Sequence, residues 1–95
     1  SLTENELLQI VDLLLDKTRE ALDNKDLKLE VSADAKQYLL KHGTDLKYGA
    51  RPLRRAIQRY IEDEIAEKVL KEEFISGQTI FVDLYDDKLV FSSKD

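Results

Sequence analysis

Apolar residues recur at helical spacing through the first quarter of the chain. Leu7, Ile10, Val11, Leu14, Leu15, Thr18, Ala21 and Leu22 share one face, and Asp12, Asp16, Lys17, Arg19, Glu20 and Asp23 share the other. The spacing predicts a long amphipathic helix over residues 4–23. Thr3 and Glu6 form the pattern of a capping box at its start: the hydroxyl accepts from the Glu6 N–H and the Glu6 side chain reaches back. Leu27, Leu29 and Val31 then alternate with Lys28 and Glu30, the period of a short half-buried strand. Ser32 offers an N-cap for a second helix through Ala33, Ala35, Tyr38, Leu39 and Leu40. Gly43 is expected to close that helix with a positive φ, just after Lys41 and His42 in its last turn.

The linker from Thr44 to Gly49 is short, so the second and third helices should meet at an angle. Pro52 suits the first turn of the third helix, where its missing N–H costs little. That helix is expected to reach Leu70 or Lys71. Leu53, Ile57, Ile61, Ile65 and Val69 form an i+4 ridge along it, joined by Ala56, Tyr60, Ala66 and Leu70. After Gly77 the period falls to two: Ile80, Val82 and Leu84 face one way, Phe81, Asp83 and Tyr85 the other. Asp86-Asp87 stands where a hairpin turn is needed, without the favoured glycine, and Leu89 and Phe91 continue the alternation. The pattern predicts an α+β domain, three helices with a small two- to three-stranded sheet.

Ninety-five residues make one domain, and 42% hydrophobic with 37% charged residues describe a globular chain with a heavily solvated surface. The absence of cysteine excludes a disulfide scaffold, thiol chemistry and a thiolate zinc site. One histidine, His42, excludes a multi-histidine metal site, and its place near a helix end reads as a dipole partner. No apolar run approaches the length of a membrane span, and without a basic start followed by an apolar run no secretory signal is expected in these residues. The chain opens at Ser1 rather than Met, and residues 1–95 are expected to be a single domain excised from a longer chain; a cytoplasmic location is expected.

Charge changes the picture more than composition does. From Leu46 to Ile61 there are five cations, Lys47, Arg51, Arg54, Arg55 and Arg59, and no acid. The net charge of -5 therefore leaves the rest of the chain at -10. A cationic segment in an acidic domain calls for a local anionic partner, because a long polyanion would be repelled elsewhere. At 100° per residue the four arginines span an arc of about 140°, opposite the apolar ridge of the third helix. Arg51 sits between Gly49 and Pro52, beside a helix start with its own partial positive charge. A guanidinium held there is a five-donor fork suited to phosphate oxygens. It makes half of a phosphate site, since no GxxxxGKS or GxxxxGKT loop exists to cradle a triphosphate or hold magnesium.

The run Tyr48-Gly49-Ala50-Arg51-Pro52-Leu53-Arg54-Arg55 resembles the "GAR" sensor-2 motif of the Clp-type AAA+ unfoldases, in the ClpB/ClpC branch. The likeness extends over nearly the whole chain, which looks like the small C-terminal (lid) subdomain of the second ATPase module, closest to ClpC-like proteins. The resemblance implies that Arg51 contacts the γ-phosphate of ATP held by the large subdomain of the same chain. Gly49, Ala50, Arg54 and Arg55 complete the candidate cofactor-binding set, with ATP or ADP as cofactor and magnesium in the parent. No catalytic or metal-ligating residue is assigned, so the domain by itself is not expected to be an enzyme. Implied partners are the large subdomains of the same and the adjacent subunit, in a homohexameric stress-response chaperone that can work with a protease. Isolated, the domain is expected to self-associate. Leu46 and Glu64 stand where relatives often carry proline; the first bears on the stiffness of the loop, and the second leads to a third helix expected to be straighter than theirs.

Each feature also has a plainer reading. Arg51 can pair locally with Asp45 or Glu62, the other arginines can form a solvated face, and Tyr48 reads as a packing residue. The pairs Glu62-Asp63 and Asp86-Asp87 lack a partner base and read as surface. A stand-alone interaction or self-assembling domain is the alternative function. Nucleic-acid binding is disfavoured by the pI of about 4.9 and by the lack of aromatics interleaved with the cations.

Overall fold

In the computed structural model, which describes residues 2–44 and 51–94, the first helix, α1 (Glu4–Asp23), starts where the Thr3–Glu6 pair places it. The Thr3 N–H donates to Glu6 Oε1 at 2.9 Å, and the Glu6 N–H donates to Thr3 Oγ1 at 3.2 Å. Strand β1 (Lys28–Val31) follows, then helix α2 (Ala33–Gly43), capped by the Ser32 hydroxyl accepting from the Ala35 N–H at 3.1 Å. Beyond the linker come α3 (Leu53–Ile57), a π-helical turn (Gln58–Glu62) and α4 (Asp63–Leu70). The backbone stays right-handed helical at Gln58 and Asp63, so these three segments are one continuous third helix. A hairpin of β2 (Thr79–Tyr85) and β3 (Lys88–Lys94) closes the fold. No helix among the described residues is long and apolar enough to cross a membrane.

The sheet has the order β1-β2-β3, with β1 parallel to β2 and β3 antiparallel to it. Leu29 lies beside Ile80 and Val31 beside Val82, while Val82 faces Phe91 and Leu84 faces Leu89. These pairs share the face turned to the helices. Val11, Leu15, Leu39, Leu53, Ile61, Ile80 and Val82 are fully buried there, so every helix and the central strand contribute to one core. The opposite face carries Phe81, Asp83 and Tyr85, as their alternation requires.

The π turn answers to the ridge spacing. In a regular α-helix a residue four positions on lies about 40° further round, so five apolar residues at strict i+4 would drift over about 160°. Yet Leu53, Ile57, Ile61 and Ile65 are all at most 2% exposed. The wider π turn, in which the Asp63 N–H donates to the Gln58 carbonyl five residues back, takes more residues per turn and reverses part of that drift. Burying Leu53, Ile57, Ile61 and Ile65 together therefore selects a local π geometry, where a uniform α-helix was expected.

Asp86 and Asp87 have φ of 52° and 60° and join the paired residues Tyr85 and Lys88. Two left-handed residues in a two-residue loop define a type I′ turn, which aspartate tolerates and the pair Asn-Gly prefers. Replacing Asp86 and Asp87 by Asn and Gly should raise stability by about 1 kcal/mol, read as a higher midpoint in thermal unfolding.

Gly43 does not act as expected. Among the described glycines the positive φ belongs to Gly77, at 95°. Gly43 is the buried last residue of α2, and a Cβ placed on it would lie 2.7 Å from Leu53 Cδ2, 3.0 Å from Ala56 Cβ and 3.1 Å from Leu53 Cα. Its role is close approach: the end of α2 presses directly on the first turn of the third helix.

Candidate functional site

That contact positions the cationic segment. Leu53 and Ala56 are buried against the end of α2 and Ile57 is buried in the core, which fixes the rotation of α3 and turns Arg54 and Arg55 to solvent. Arg51 is likewise exposed, in the turn just before Pro52. Pro52 has a helical φ of -72°, and its carbonyl accepts from the Ala56 N–H at 2.9 Å, so helical hydrogen bonding begins there. No side chain among the described residues caps this end, and its first N–H groups join the guanidinium groups in favouring an anion.

The ion pairs among the described residues use Arg19, Lys36, Lys68, Lys71 and Lys94, and none involves Arg51, Arg54 or Arg55. Of the two local carboxylates that could neutralise Arg51, Asp45 lies outside the described residues. The other, Glu62, accepts the Thr18 hydroxyl at 2.6 Å, a bond that ties α1 to the π turn; Thr18 itself is 3% exposed. Gly49 and Ala50, with Leu46, Lys47 and Tyr48, also lie outside the described residues, so the set Gly49, Ala50, Arg51, Arg54 and Arg55 is seen only through its arginines.

One cation was missed by sequence reasoning. Lys17 of α1 lines a small cleft of about 90 Å³ together with Arg54, Gln58 and Glu62, and so extends the positive surface across a helix boundary. Its acidic neighbours in the sequence concealed that role. Arg59 separates from the other arginines: its guanidinium carbon stands 5.3 Å from the centre of the Tyr60 ring. Tyr60 belongs to an aromatic cluster with Tyr38 at 5.6 Å and His42 at 5.7 Å, and the Tyr38 and His42 rings are 4.2 Å apart. The i, i+4 spacing of Tyr38 and His42 was the signal for this contact. Burial first, then the nearby Tyr60 and Asp87, push the Tyr38 hydroxyl above the ordinary tyrosine range, against the opposing effect of Arg59. No cluster of three potential metal ligands occurs among the described residues.

A second surface is apolar. Between α1 and α4, Ala21, Leu22, Ile65, Ala66, Val69 and Leu70 line a groove of about 440 Å³, and Leu70 is 84% exposed.

A three-stranded mixed sheet backed by three helices, with arginines gathered at one helix start, defines a small α+β domain with one cationic and one apolar face. Residues 2–82 match the family described as the C-terminal, D2-small domain, of ClpB protein, and the chain belongs to that family. It is 39% identical over 94 residues to "Chaperone protein ClpB" of Aquifex aeolicus (strain VF5), covering 99% of this chain and 9% of that protein. It is 45% identical over 92 residues to "Chaperone protein ClpB 2" of Nostoc sp., covering 97% and 11%. It is also 41% identical over 90 residues to "Negative regulator of genetic competence ClpC/MecB" of Bacillus subtilis (strain 168), covering 95% and 11%. The chain thus spans about a tenth of the length of these relatives. These identities do not separate the ClpB from the ClpC side, so the expected lean toward ClpC-like proteins is not borne by them.

Proposed function

We propose that residues 1–95 form the nucleotide-sensing and ring-assembly lid subdomain of an ATP-dependent protein unfoldase, with Arg51 reading the terminal phosphate. The observation that carries this reading is the exposed, anchored arginine group at the third helix start, for which no ion-pair partner occurs among the described residues. Arg51 would hold the γ-phosphate, with Arg54 and Arg55 adding positive charge beside it. The residues present suit one edge of a polyphosphate; the triphosphate cradle and magnesium ligands belong to the parent's large subdomain. ATP supplies the phosphate charge whose presence or loss the arginines report.

The domain's own part is to move as a unit. Leu53 and Ala56 are packed against α2, and the core joins α2 to the sheet, so a force on Arg51 is passed to the whole body. The apolar groove between α1 and α4 suits contact with a large subdomain in the homohexamer, and its exposure suits self-association of the isolated domain. Whether the parent unfolds proteins for a protease is read from assays of the parent.

The test is ATP turnover by this domain joined to a Clp-type large ATPase subdomain, with Arg51 intact, Arg51→Lys and Arg51→Ala. Loss of one charged hydrogen-bonding fork should lower turnover by roughly tenfold or more in Arg51→Ala, with Arg51→Lys recovering part of it. Unchanged turnover in an assembled ring would leave Arg51 structural and the domain an assembly module.

A further inference from the structure

The two edges of the sheet are not alike. Strand β1 is four residues long, and the Leu29 carbonyl on its outer side accepts from Arg19 Nε at 3.2 Å, so α1 closes part of that edge. Strand β3, at the other edge, is seven residues long and stays in register with β2 from Lys88 to Lys94, without bulge or proline. A two-residue hairpin loop is closed by a hydrogen-bonded pair, here Tyr85 and Lys88, and such pairs then alternate along the ladder. Lys88, Val90, Ser92 and Lys94 therefore bond to β2, while Leu89, Phe91 and Ser93 turn their N–H and C=O groups outward.

Sheet edges are usually guarded by charge, and here the guard is thin. Lys94 is drawn across the sheet: its Nζ lies 3.0 Å from Glu30 Oε1 on β1 and 5.4 Å from the Phe81 ring centre. That leaves Lys88, beside the turn. Between the two lysines the strand offers Leu89, Val90 and Phe91, with Val90 41% exposed on the face away from the helices. On the helix side, Leu89 and Phe91 border a groove of about 430 Å³ with Tyr38, Tyr60, Glu64 and Lys68.

This strand complements a reversed copy of itself. About a two-fold axis at Val90, outward groups meet outward groups: Leu89 exchanges both backbone hydrogen bonds with Phe91 of the second copy, and Phe91 does the same with its Leu89. Val90 meets Val90 in the closer, non-hydrogen-bonded kind of pair, which suits two β-branched side chains. Lys88 lies opposite Ser92, so no like charges face each other across the strands. Moving the axis to Phe91 would set Val90 against Ser92 and Leu89 against Ser93, leaving only the central residue an apolar partner. We propose that the β3 edge is a self-association surface: two copies of this chain pair antiparallel through residues 88–92, about a two-fold axis at Val90, and their sheets become continuous. The grooves receive Leu89 and Phe91 of the opposite copy. The inference stands apart from the reading of Arg51 and uses a face other than the α1–α4 groove. The short overlap and the net charge of -5 on each copy keep the dimer weak, with a dissociation constant on the order of 100 μM.

The test is sedimentation velocity and amide NMR of the 95-residue chain over a concentration series. Expected is a saturable monomer–dimer equilibrium in which the Leu89 and Phe91 amides shift and gain protection from exchange as the dimer fills. Val90→Lys places like charges at the axis and should raise the dissociation constant by about tenfold or more, with the unfolding midpoint nearly unchanged. Leu70→Glu, in the α1–α4 groove, should leave the dimer intact. The chain has no cysteine, so single substitutions read the register directly. Val90→Cys should form an intermolecular disulfide under mild oxidation much faster than Ser92→Cys, whose two copies lie several residues apart along the paired strands. A chain that stays monomeric at millimolar concentration, a dimer indifferent to Val90→Lys, or one that leaves the Leu89 and Phe91 amides unprotected would overturn the proposal. So would equal cross-linking of the two cysteine variants, or a dimer lost in Leu70→Glu and kept in Val90→Lys, which would belong to the α1–α4 groove.

Discussion

Replacing Gly43 by valine should destabilise the domain by about 3 kcal/mol or more, lowering its unfolding midpoint by more than 10 °C. Alanine shows the balance most clearly. It gains roughly 1 kcal/mol of helix propensity over glycine. Against that, its Cβ would stand 3.1 Å or less from two atoms of Leu53 and one of Ala56, and one of the three is the Leu53 Cα. A side-chain tip can turn aside, but a Cα moves only with its helix, and Leu53 is fully buried. Overpacking of this kind costs about 1–3 kcal/mol, so Gly43→Ala should lose about 1 kcal/mol net, and the larger, branched valine far more. Thermal unfolding followed by circular dichroism checks both. A valine variant as stable as the parent would mean that α2 and α3 can part without cost, and the rigid placement of Arg51 would go with it.

Deleting Gln58 should be nearly harmless, although it removes a residue from the middle of a helix. With it gone, the spacing from Ile57 to Ile61 falls from four to three. The ridge then spreads over about 80° in a regular α-helix, against about 160° with Gln58 present. The π turn has no further reason to exist, and both halves of the helix keep their buried faces. Stability should change by about 1 kcal/mol at most. Deleting Asp16 from α1 is the contrast: Thr18 and Leu22, both buried, would swing about 100° away from Val11 and Leu15. That variant should lose its cooperative transition. The pair is read by thermal unfolding, and collapse of the Gln58 deletion would show that the π turn is held by something other than the ridge, with the Thr18–Glu62 bond the first suspect.

Helix starts were legible because their chemistry is local: Thr3 with Glu6 and Ser32 with Ala35 bond across three residues, as their order in the chain foretells. The hairpin was legible from alternation, even with Asp-Asp in the turn. Gly43 was misread because glycine serves positive φ and close approach equally well, and a sequence does not say which. The π turn was written in the strict i+4 ridge, but seeing it requires knowing that Leu53, Ile57, Ile61 and Ile65 are all buried. At the site, Arg51, Arg54 and Arg55 stood out through the GAR motif and the charge run. Lys17 did not, because it approaches Arg54 only after α1 packs on the third helix. That the Leu27–Val31 strand joins the hairpin's sheet was expected, but its parallel pairing with β2 was out of reach, since it joins residues about fifty positions apart.

That pairing has a kinetic consequence. Parallel neighbours need a crossover, and here the crossover is α2, the linker and the whole third helix. The arginine segment is thus inside the loop that must close before β1 can meet β2. Closure is entropically late and rests on non-local contacts, so the sheet and the arginine-bearing helix start are completed in the same folding event. A partly folded domain with a finished sheet and a loose arginine segment has little to hold it together. The sheet and the arginine-bearing helix start thus form together or not at all.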